Sequence, residues 1–241
     1  MLLHGLGGGS RCWPGIAEGL AVTRRVLVPD LRGCGRSSGE PSPYSLDLLA
    51  DDVVAVLDHL GLERCHLVGH SLGGVVAQNV LTRHNRRCAS AVLVSTSSRV
   101  GDKAAASWSR LADAVERDGL SDSPAARRRA FSDAFAEARP DIVDIVGDVA
   151  AASDPRIYAA QARVASTYDF TAQLASVEQP VLVVQGLADR LTSPGGSVII
   201  DRALPASRLE MIDGVGHNAH LEMGDRFIAI VEEFFAAVDE A

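Results

Sequence analysis

The chain has 241 residues, which is enough for one domain with a full hydrophobic core. Apolar residues make up 47% and charged residues 22%, and these fractions exclude disordered and collagen-like chains. The net charge of −8 argues against a nucleic-acid partner, and no apolar run is long enough to predict a membrane span. The four cysteines form no C-x-x-C pair or zinc spacing, and the start of the chain shows no signal-peptide pattern. The sequence therefore predicts a cytoplasmic protein without a bound metal.

Short apolar runs rich in β-branched residues alternate with longer stretches of helical periodicity. The runs are apolar throughout rather than alternating, which is typical of parallel strands covered on both faces. Six of them predict strands, at 2–4, 26–28, 65–68, 91–94, 181–184 and 209–212. The pattern predicts the α/β class, with a mostly parallel open sheet of about six strands flanked by helices.

Helical periodicity fills most of the remaining chain. It predicts a helix capped by Ser45 and ended by Gly61, another over 72–83, and a long closing helix over 219–238. Residues 98–177 show no strand pattern, are rich in Ala, Arg and Asp, and predict about four helices. We interpret 98–177 as a helical lid inserted into a core made of 1–97 and 178–241.

The strongest motif is Gly69-His70-Ser71-Leu72-Gly73, a G-x-S-x-G sequence between a predicted strand and a predicted helix. In that setting it predicts a nucleophile elbow, in which a sharp turn raises the Ser71 hydroxyl above the sheet. The flanking glycines remove side chains that would collide in such a turn. Ser71 is therefore the candidate nucleophile.

A serine nucleophile needs a base, and histidine is the side chain that titrates nearest neutrality. His217 follows the last predicted strand on a glycine-containing loop and is the candidate base, whereas His220 is predicted to pack nearby. Asp189 follows the preceding strand, giving the order Ser…Asp…His found with nucleophile elbows. Asp213 also ends a strand, but from there it would have to fold back onto the base.

Two backbone N–H groups are predicted to bind the oxyanion of a tetrahedral intermediate. One belongs to Leu72, directly after the nucleophile, and the other to Leu6 in the glycine-rich turn after the first strand. Trp108, in the predicted lid, is the candidate residue lining the substrate pocket. The glycine-rich turn lacks the third glycine of a dinucleotide-binding motif, because Ser10 stands there, so we predict no cofactor.

Together these motifs make the chain resemble the α/β-hydrolase fold family along nearly its whole length. The matching blocks are His-Gly-Leu-Gly at 4–7, Asp-Leu-Arg-Gly-Cys-Gly-Arg-Ser at 30–37, Gly-His-Ser-Leu-Gly-Gly at 69–74, Gly-Leu-Ala-Asp at 186–189 and Gly-Val-Gly-His at 214–217. Residues 96–101, Trp108 and Gly119 are similar to the 3-oxoadipate enol-lactonase and carboxylesterase branch. Enol-lactonases usually have Asn-Ser where this chain has His4-Gly5, so the resemblance implies an ester or lactone hydrolase without specifying the lactone.

The resemblance implies hydrolysis of a small-molecule ester or lactone through an acyl-enzyme on Ser71. The same triad is used by C–C bond hydrolases, thioesterases and perhydrolases, and a non-catalytic ligand receptor can retain it. Members of the family usually carry an antiparallel strand pair before the first glycine-rich turn, so we expect a late start site or a natural truncation. Residues 25–29 would then form an exposed sheet edge through which the protein could dimerise.

Overall fold

The computed structural model describes residues 1–240 and contains a single parallel sheet. Five strands pair in chain order, each parallel to its neighbours. The strands are β1 (Leu2–Leu3), β2 (Cys65–His70), β3 (Cys88–Val94), β4 (Val181–Gly186) and β5 (Ser207–Ile212). The predicted α/β class and parallel sheet are confirmed.

Helices separate and follow these strands. They are α1 (Ile16–Leu20), α2 (Leu46–His59), α3 (Leu72–Arg83), α4 (Asp102–Asp118), α5 (Pro124–Arg128), α6 (Asp133–Ala138), α7 (Pro140–Ala151), α8 (Pro155–Val164), α9 (Thr171–Leu174), α10 (Pro194–Ala203), α11 (Ala219–Met223) and α12 (Asp225–Asp239). Short 3-10 helices lie at Ser10–Cys12 and Asn85–Arg87. Within residues 1–240, no helix combines the length and the apolar character needed to cross a bilayer.

The sheet separates two hydrophobic cores. Successive strand residues point to opposite faces, so Leu67 and Val183 enter the core beneath α2, α3 and α10. Their neighbours Val68 and Val184 enter the opposite core, beneath α1 and α12. Burial on both faces explains why the strands are apolar throughout.

The sheet has one strand fewer than expected among the described residues, because 26–28 does not form one. This segment runs beside β1, and the carbonyl of Leu27 accepts a hydrogen bond of 2.8 Å from the N–H of Leu2. Because β1 has only two residues, it offers too few backbone groups for a repeated ladder. An apolar, β-branched run is therefore insufficient to predict a strand here.

Outside 98–177, the predicted helices begin and end as expected from the sequence, except where a glycine ends a helix early. The Ser45 hydroxyl accepts a hydrogen bond from Leu48 N–H and caps α2, and Gly61 follows that helix with φ of +65°. The predicted closing helix is split into α11 and α12 at Gly224, whose φ is +53°. A positive φ is incompatible with a continuous right-handed helix, so the long periodic pattern spans two helices.

The segment 98–177, which we call the insert, leaves the sheet after β3 and returns to it before β4. It contains six helices, α4 to α9, rather than about four. Its two ends are joined, since Phe170 N–H donates to the carbonyl of Ser98 at 2.8 Å and Val100 N–H donates to that of Tyr168 at 3.2 Å. The insert therefore leaves and re-enters the core at one place.

Candidate active site

Ser71 occupies a sharp turn between β2 and α3. Its φ of +53° and ψ of −115° lie outside the right-handed region, a strained conformation for a residue with a side chain. The turn is possible because the residues two positions before and after Ser71 lack side chains: a Cβ on Gly69 would collide with the backbone of Gly73. A Cβ on Gly73 would in turn collide with the carbonyl oxygen of Leu3 in β1. This is the geometry predicted for a nucleophile elbow.

Asp189 and His217 form a buried pair above the carboxyl end of β4. His217 Nδ1–H donates to Asp189 Oδ2 at 2.8 Å, and the two residues are only 6% and 8% exposed. The other carboxylate oxygen, Oδ1, accepts from the N–H groups of Leu191 at 2.8 Å and Thr192 at 2.9 Å. Burial alone would raise the pKa of Asp189, but the hydrogen bonds from His217 and the backbone outweigh burial and lower it. The carboxylate is thus held ionised against the imidazole.

The three predicted triad residues converge on one edge of the sheet, because each follows a parallel strand at its carboxyl end. Ser71 follows β2, Asp189 follows β4 and His217 follows β5. Within residues 1–240 no hydrogen bond joins Ser71 Oγ to His217, so the structure brings only the acid and the base into direct contact. In unliganded hydrolases the bond between nucleophile and base is often long and tightens only when substrate binds.

A column of buried rings supports the His217 loop. His70 Nε2–H donates to the carbonyl of His217 at 3.0 Å, and the two ring centroids are 4.8 Å apart. The ring of His220 lies 4.6 Å from that of His70 and 4.4 Å from that of Trp13. Burial lowers the pKa of both His70 and His220, that of His220 to about 3, so both rings are neutral at pH 7. His220 therefore packs beside the His217 loop, as the sequence predicts.

The predicted oxyanion donors have no acceptor in the protein. Leu72 is the first residue of α3, so its N–H has no intrahelical partner. Among the hydrogen bonds of residues 1–240, none uses the N–H of Leu6. The turn that carries Leu6 approaches the nucleophile closely, because a Cβ on Gly5 would lie 3.3 Å from the Cβ of Ser71. Among residues 1–240 both N–H groups therefore lack a partner, and the turn that carries Leu6 lies against the nucleophile.

Hydrogen bonds to the carbonyl of Gly5 fix the peptide plane that contains the N–H of Leu6. This carbonyl accepts from Gly8 N–H at 3.0 Å and from His4 Nδ1–H at 2.8 Å. In a trans peptide the N–H points opposite to the carbonyl, so the Leu6 donor is directed away from both partners. His4 Nε2 accepts from Leu31 N–H at 2.9 Å, and burial lowers the pKa of His4, so its ring is neutral with the proton on Nδ1.

Trp108 lies on α4 of the insert, half-buried against a small apolar cluster between α4 and α8. Leu6 and Tyr158 contact the same cluster, so Trp108 belongs to the part of the insert that covers the oxyanion turn. Its role as a pocket-lining residue stays a prediction.

Sequence reasoning missed two residues that connect the histidine loop to the insert. Glu222, on α11, accepts from the N–H of Gly216 at 3.0 Å and from that of Ser132 at 3.1 Å. Asn218 donates from its backbone N–H to the carbonyl of Ala130 at 3.0 Å. Neither residue stands in a motif, and the position of Glu222 five residues after His217 is the only available sequence signal. Within residues 1–240, no three His, Cys, Asp or Glu side chains are grouped to hold a metal ion.

The sheet, the elbow and the acid–histidine pair define the class of the protein: the chain belongs to the alpha/beta hydrolase fold family, whose sequence model matches residues 1–223. Among curated relatives, 3-oxoadipate enol-lactonase 2 of Acinetobacter baylyi is 29% identical over 208 residues, covering 86% of this chain and 77% of the relative. Pimeloyl-[acyl-carrier protein] methyl ester esterase of Aeromonas hydrophila is 31% identical over 246 residues, covering 97% of this chain and 94% of the relative. The solved enol-lactonase from Burkholderia xenovorans LB400 superposes with a TM-score of 0.91 at 26% identity, covering 98% of this chain and 90% of that one. The family and the enol-lactonase resemblance are confirmed.

The close approach of Gly73 to β1 generates a first prediction. Gly73→Ala places a methyl group against the carbonyl of Leu3, so β1 and α3 must separate. We expect the free energy of unfolding to fall by at least about 2 kcal/mol in urea titrations. Gly101→Ala is the matched control, because a Cβ there meets nothing within 4 Å, and it should change that free energy by less than about 1 kcal/mol. Equal effects of the two substitutions would contradict the close approach.

The buried neutral histidines generate a prediction about pH. Between about pH 6.5 and pH 5 the unfolded chain binds protons on its histidines, whereas His220 in the folded chain, with its pKa lowered to about 3, does not; burial lowers the pKa of His70 in the same direction. As the pH is lowered, the unfolded state therefore gains protons that the folded state does not bind. The free energy of unfolding should then decrease by up to about 1.4 kcal/mol for each such histidine and each unit by which the pH is lowered. Urea titrations across this range measure the slope, which should be smaller in His220→Gln. An unchanged slope in that variant would contradict the neutral state of His220.

Proposed function

We propose that the protein hydrolyses carboxylic esters or lactones of small molecules through an acyl-enzyme on Ser71. The observation that carries this proposal is the buried 2.8 Å hydrogen bond between His217 Nδ1 and Asp189, on the same sheet edge as Ser71. Because Nδ1–H donates to Asp189, the lone pair of the imidazole in its neutral form lies on Nε2. That nitrogen is the acceptor a serine nucleophile needs.

In the proposed acylation step, His217 Nε2 takes the proton of Ser71 Oγ as the oxygen attacks the substrate carbonyl. The carbonyl π electrons move to its oxygen, and the N–H groups of Leu6 and Leu72 stabilise that oxyanion. When the tetrahedral intermediate collapses, the bond to the alkoxy oxygen breaks and His217 donates the proton to it. With an ester the alcohol leaves, whereas with a lactone the new hydroxyl stays attached to the acyl chain.

Deacylation repeats these steps with water as the nucleophile. His217 removes a proton from the water, the hydroxide adds to the acyl carbonyl, and collapse returns the proton to Ser71 Oγ. Asp189 stays ionised throughout, because its lowered pKa favours the carboxylate beside the imidazolium that forms in each step.

The named relatives support ester or lactone cleavage, since one is an enol-lactonase and another a methyl ester esterase. The apolar surroundings of Leu6, formed with Trp108 and Tyr158, suit a substrate whose acyl part is uncharged near the reacting carbonyl. A cytoplasmic location stays a prediction from the cysteine usage.

Replacing the nucleophile is the direct test of this proposal. Ser71→Ala should lower kcat/KM for p-nitrophenyl acetate by about 10³-fold or more, because no acyl-enzyme can form. A fluorophosphonate should label the wild-type protein on Ser71 and leave Ser71→Ala unlabelled, as mass spectrometry of peptides would show.

The matched control for Ser71→Ala is Ser95→Ala. Ser95 also follows a strand with a positive φ, of +49°, and its hydroxyl is buried without a partner. Ser95→Ala should keep the label on Ser71. Turnover by Ser71→Ala within tenfold of wild type would overturn the assignment of the nucleophile.

The carboxylate generates a separate prediction. Asp189→Asn keeps the size of the side chain but removes the charge that fixes the His217 tautomer, so kcat should fall by about 10³- to 10⁴-fold. Asp213→Asn is the matched control, since Asp213 directly follows β5 on the loop of His217 but is exposed to solvent, and the kcat of this variant should stay within about twofold of wild type. A larger loss for Asp213→Asn than for Asp189→Asn would reassign the acid.

A further inference from the structure

We propose that Gln161, on helix α8 of the insert, is a positioning residue that holds the oxyanion turn in its active geometry. The insert would then take part in acylation through this turn, beyond covering the substrate. This inference rests on the proposed function, because it assigns a role within the same serine hydrolase site.

The side chain of Gln161 is fully buried and bonds directly to the turn. Its Oε1 accepts the N–H of Gly7 at 2.9 Å, a contact between residues 154 positions apart. Gly7 follows Leu6, the predicted oxyanion donor, and its φ of +65° is one that few other residues adopt. Gln161 therefore holds the peptide group next to the donor.

The other end of the amide also has partners in the protein. Gln161 Nε2 donates to Cys34 Sγ at 3.0 Å and to the hydroxyl of Tyr44 at 3.1 Å. That hydroxyl donates in turn to the carbonyl of Arg32 at 2.9 Å, so it is free to accept from Nε2. Because Gly7 N–H is a donor and must face an oxygen, only one orientation of the amide satisfies all partners.

Two further side chains of the insert fix Gly7. Ser153 Oγ donates to the carbonyl of Gly7 at 3.1 Å, and the ring of Tyr158 packs so closely that a Cβ on Gly7 would collide with it. The insert thus restrains all three parts of Gly7, namely its N–H, its carbonyl and its Cα.

The Leu6 N–H is consequently held from both sides. On one side, His4 and Gly8 fix the carbonyl of Gly5, and so the peptide plane that carries this N–H. On the other side, Gln161 fixes the next peptide plane through Gly7. Loss of the second restraint lets the turn rotate about Leu6, and a misdirected donor stabilises the transition state less than a preorganised one.

Gln161→Met tests this role, because methionine keeps the length and apolar volume of glutamine and removes its hydrogen bonds. We expect kcat for p-nitrophenyl acetate to fall by about 10- to 100-fold with KM within about twofold of wild type. The rate of fluorophosphonate inactivation should fall by a similar factor, since that reaction uses the same oxyanion donors. Amide hydrogen exchange at Gly7, followed by NMR, should accelerate whether or not the enzyme is turning over.

Two matched variants separate positioning from loss of packing. Tyr44→Phe removes one partner of Gln161 Nε2 and leaves the Gly7 bond intact, so its kcat should stay within about threefold of wild type. Gln161→Glu keeps an oxygen for Gly7 N–H and should recover part of the kcat that Gln161→Met loses. Urea titrations of all three variants show whether kcat merely follows stability.

The inference is overturned if Gln161→Met retains wild-type kcat, if it raises KM alone, or if kcat in the three variants follows their stability. An active wild type with any of these results leaves the proposed function standing. A wild type that hydrolyses no ester and is not labelled on Ser71 overturns the proposed function and this inference together. Accelerated exchange at Gly7 would then show a structural contact without a catalytic role.

Discussion

The absence of side chains at Gly69 and Gly73, two residues before and after Ser71, is the constraint on which the rest of the site depends. The elbow needs a backbone that turns within one residue, and Gly69 and Gly73 supply the space for it. The same bare positions let β1 pass beneath the start of α3, which brings Gly5 and the following turn against the nucleophile. One packing solution therefore places the nucleophile, the helix N-terminus and the second oxyanion loop.

The parallel sheet then determines which loops meet. Parallel strands present their carboxyl ends at one edge, so the turns after β1, β2, β4 and β5 all lie there. The insert contacts three of these turns: the oxyanion turn through Gln161, the turn after β4 through the ion pair of Asp133 with Arg190, and the histidine loop through Ala130 and Ser132. The insert therefore forms part of the structure that positions the catalytic groups.

Much of this arrangement could be predicted from local sequence. The strands are apolar throughout because both faces are buried, and Ser71, Asp189 and His217 stand in short motifs whose order along the chain is itself informative. The pairing of 26–28 could not be predicted, since it depends on the length of β1 in a different part of the chain. Gln161 gave no signal either, because a single glutamine in an alanine-rich helix has no local pattern that identifies its distant partner.

The insert also has no large apolar core of its own among the described residues. The apolar cluster between α4 and α8 has only small buried members: Ala112, Val115, Ala159 and Ala162. Larger buried residues of the insert belong instead to the two cores of the sheet, Phe131 and Ile142 to the one beneath α1 and α12 and Leu174 to the one beneath α2, α3 and α10. Burial of apolar area stabilises the insert mainly through these shared cores, so the insert and the sheet order together. The bonds from Gln161 and Glu222 to the catalytic turns are then formed only when the whole domain is folded, which makes the geometry of the site a property of the complete chain.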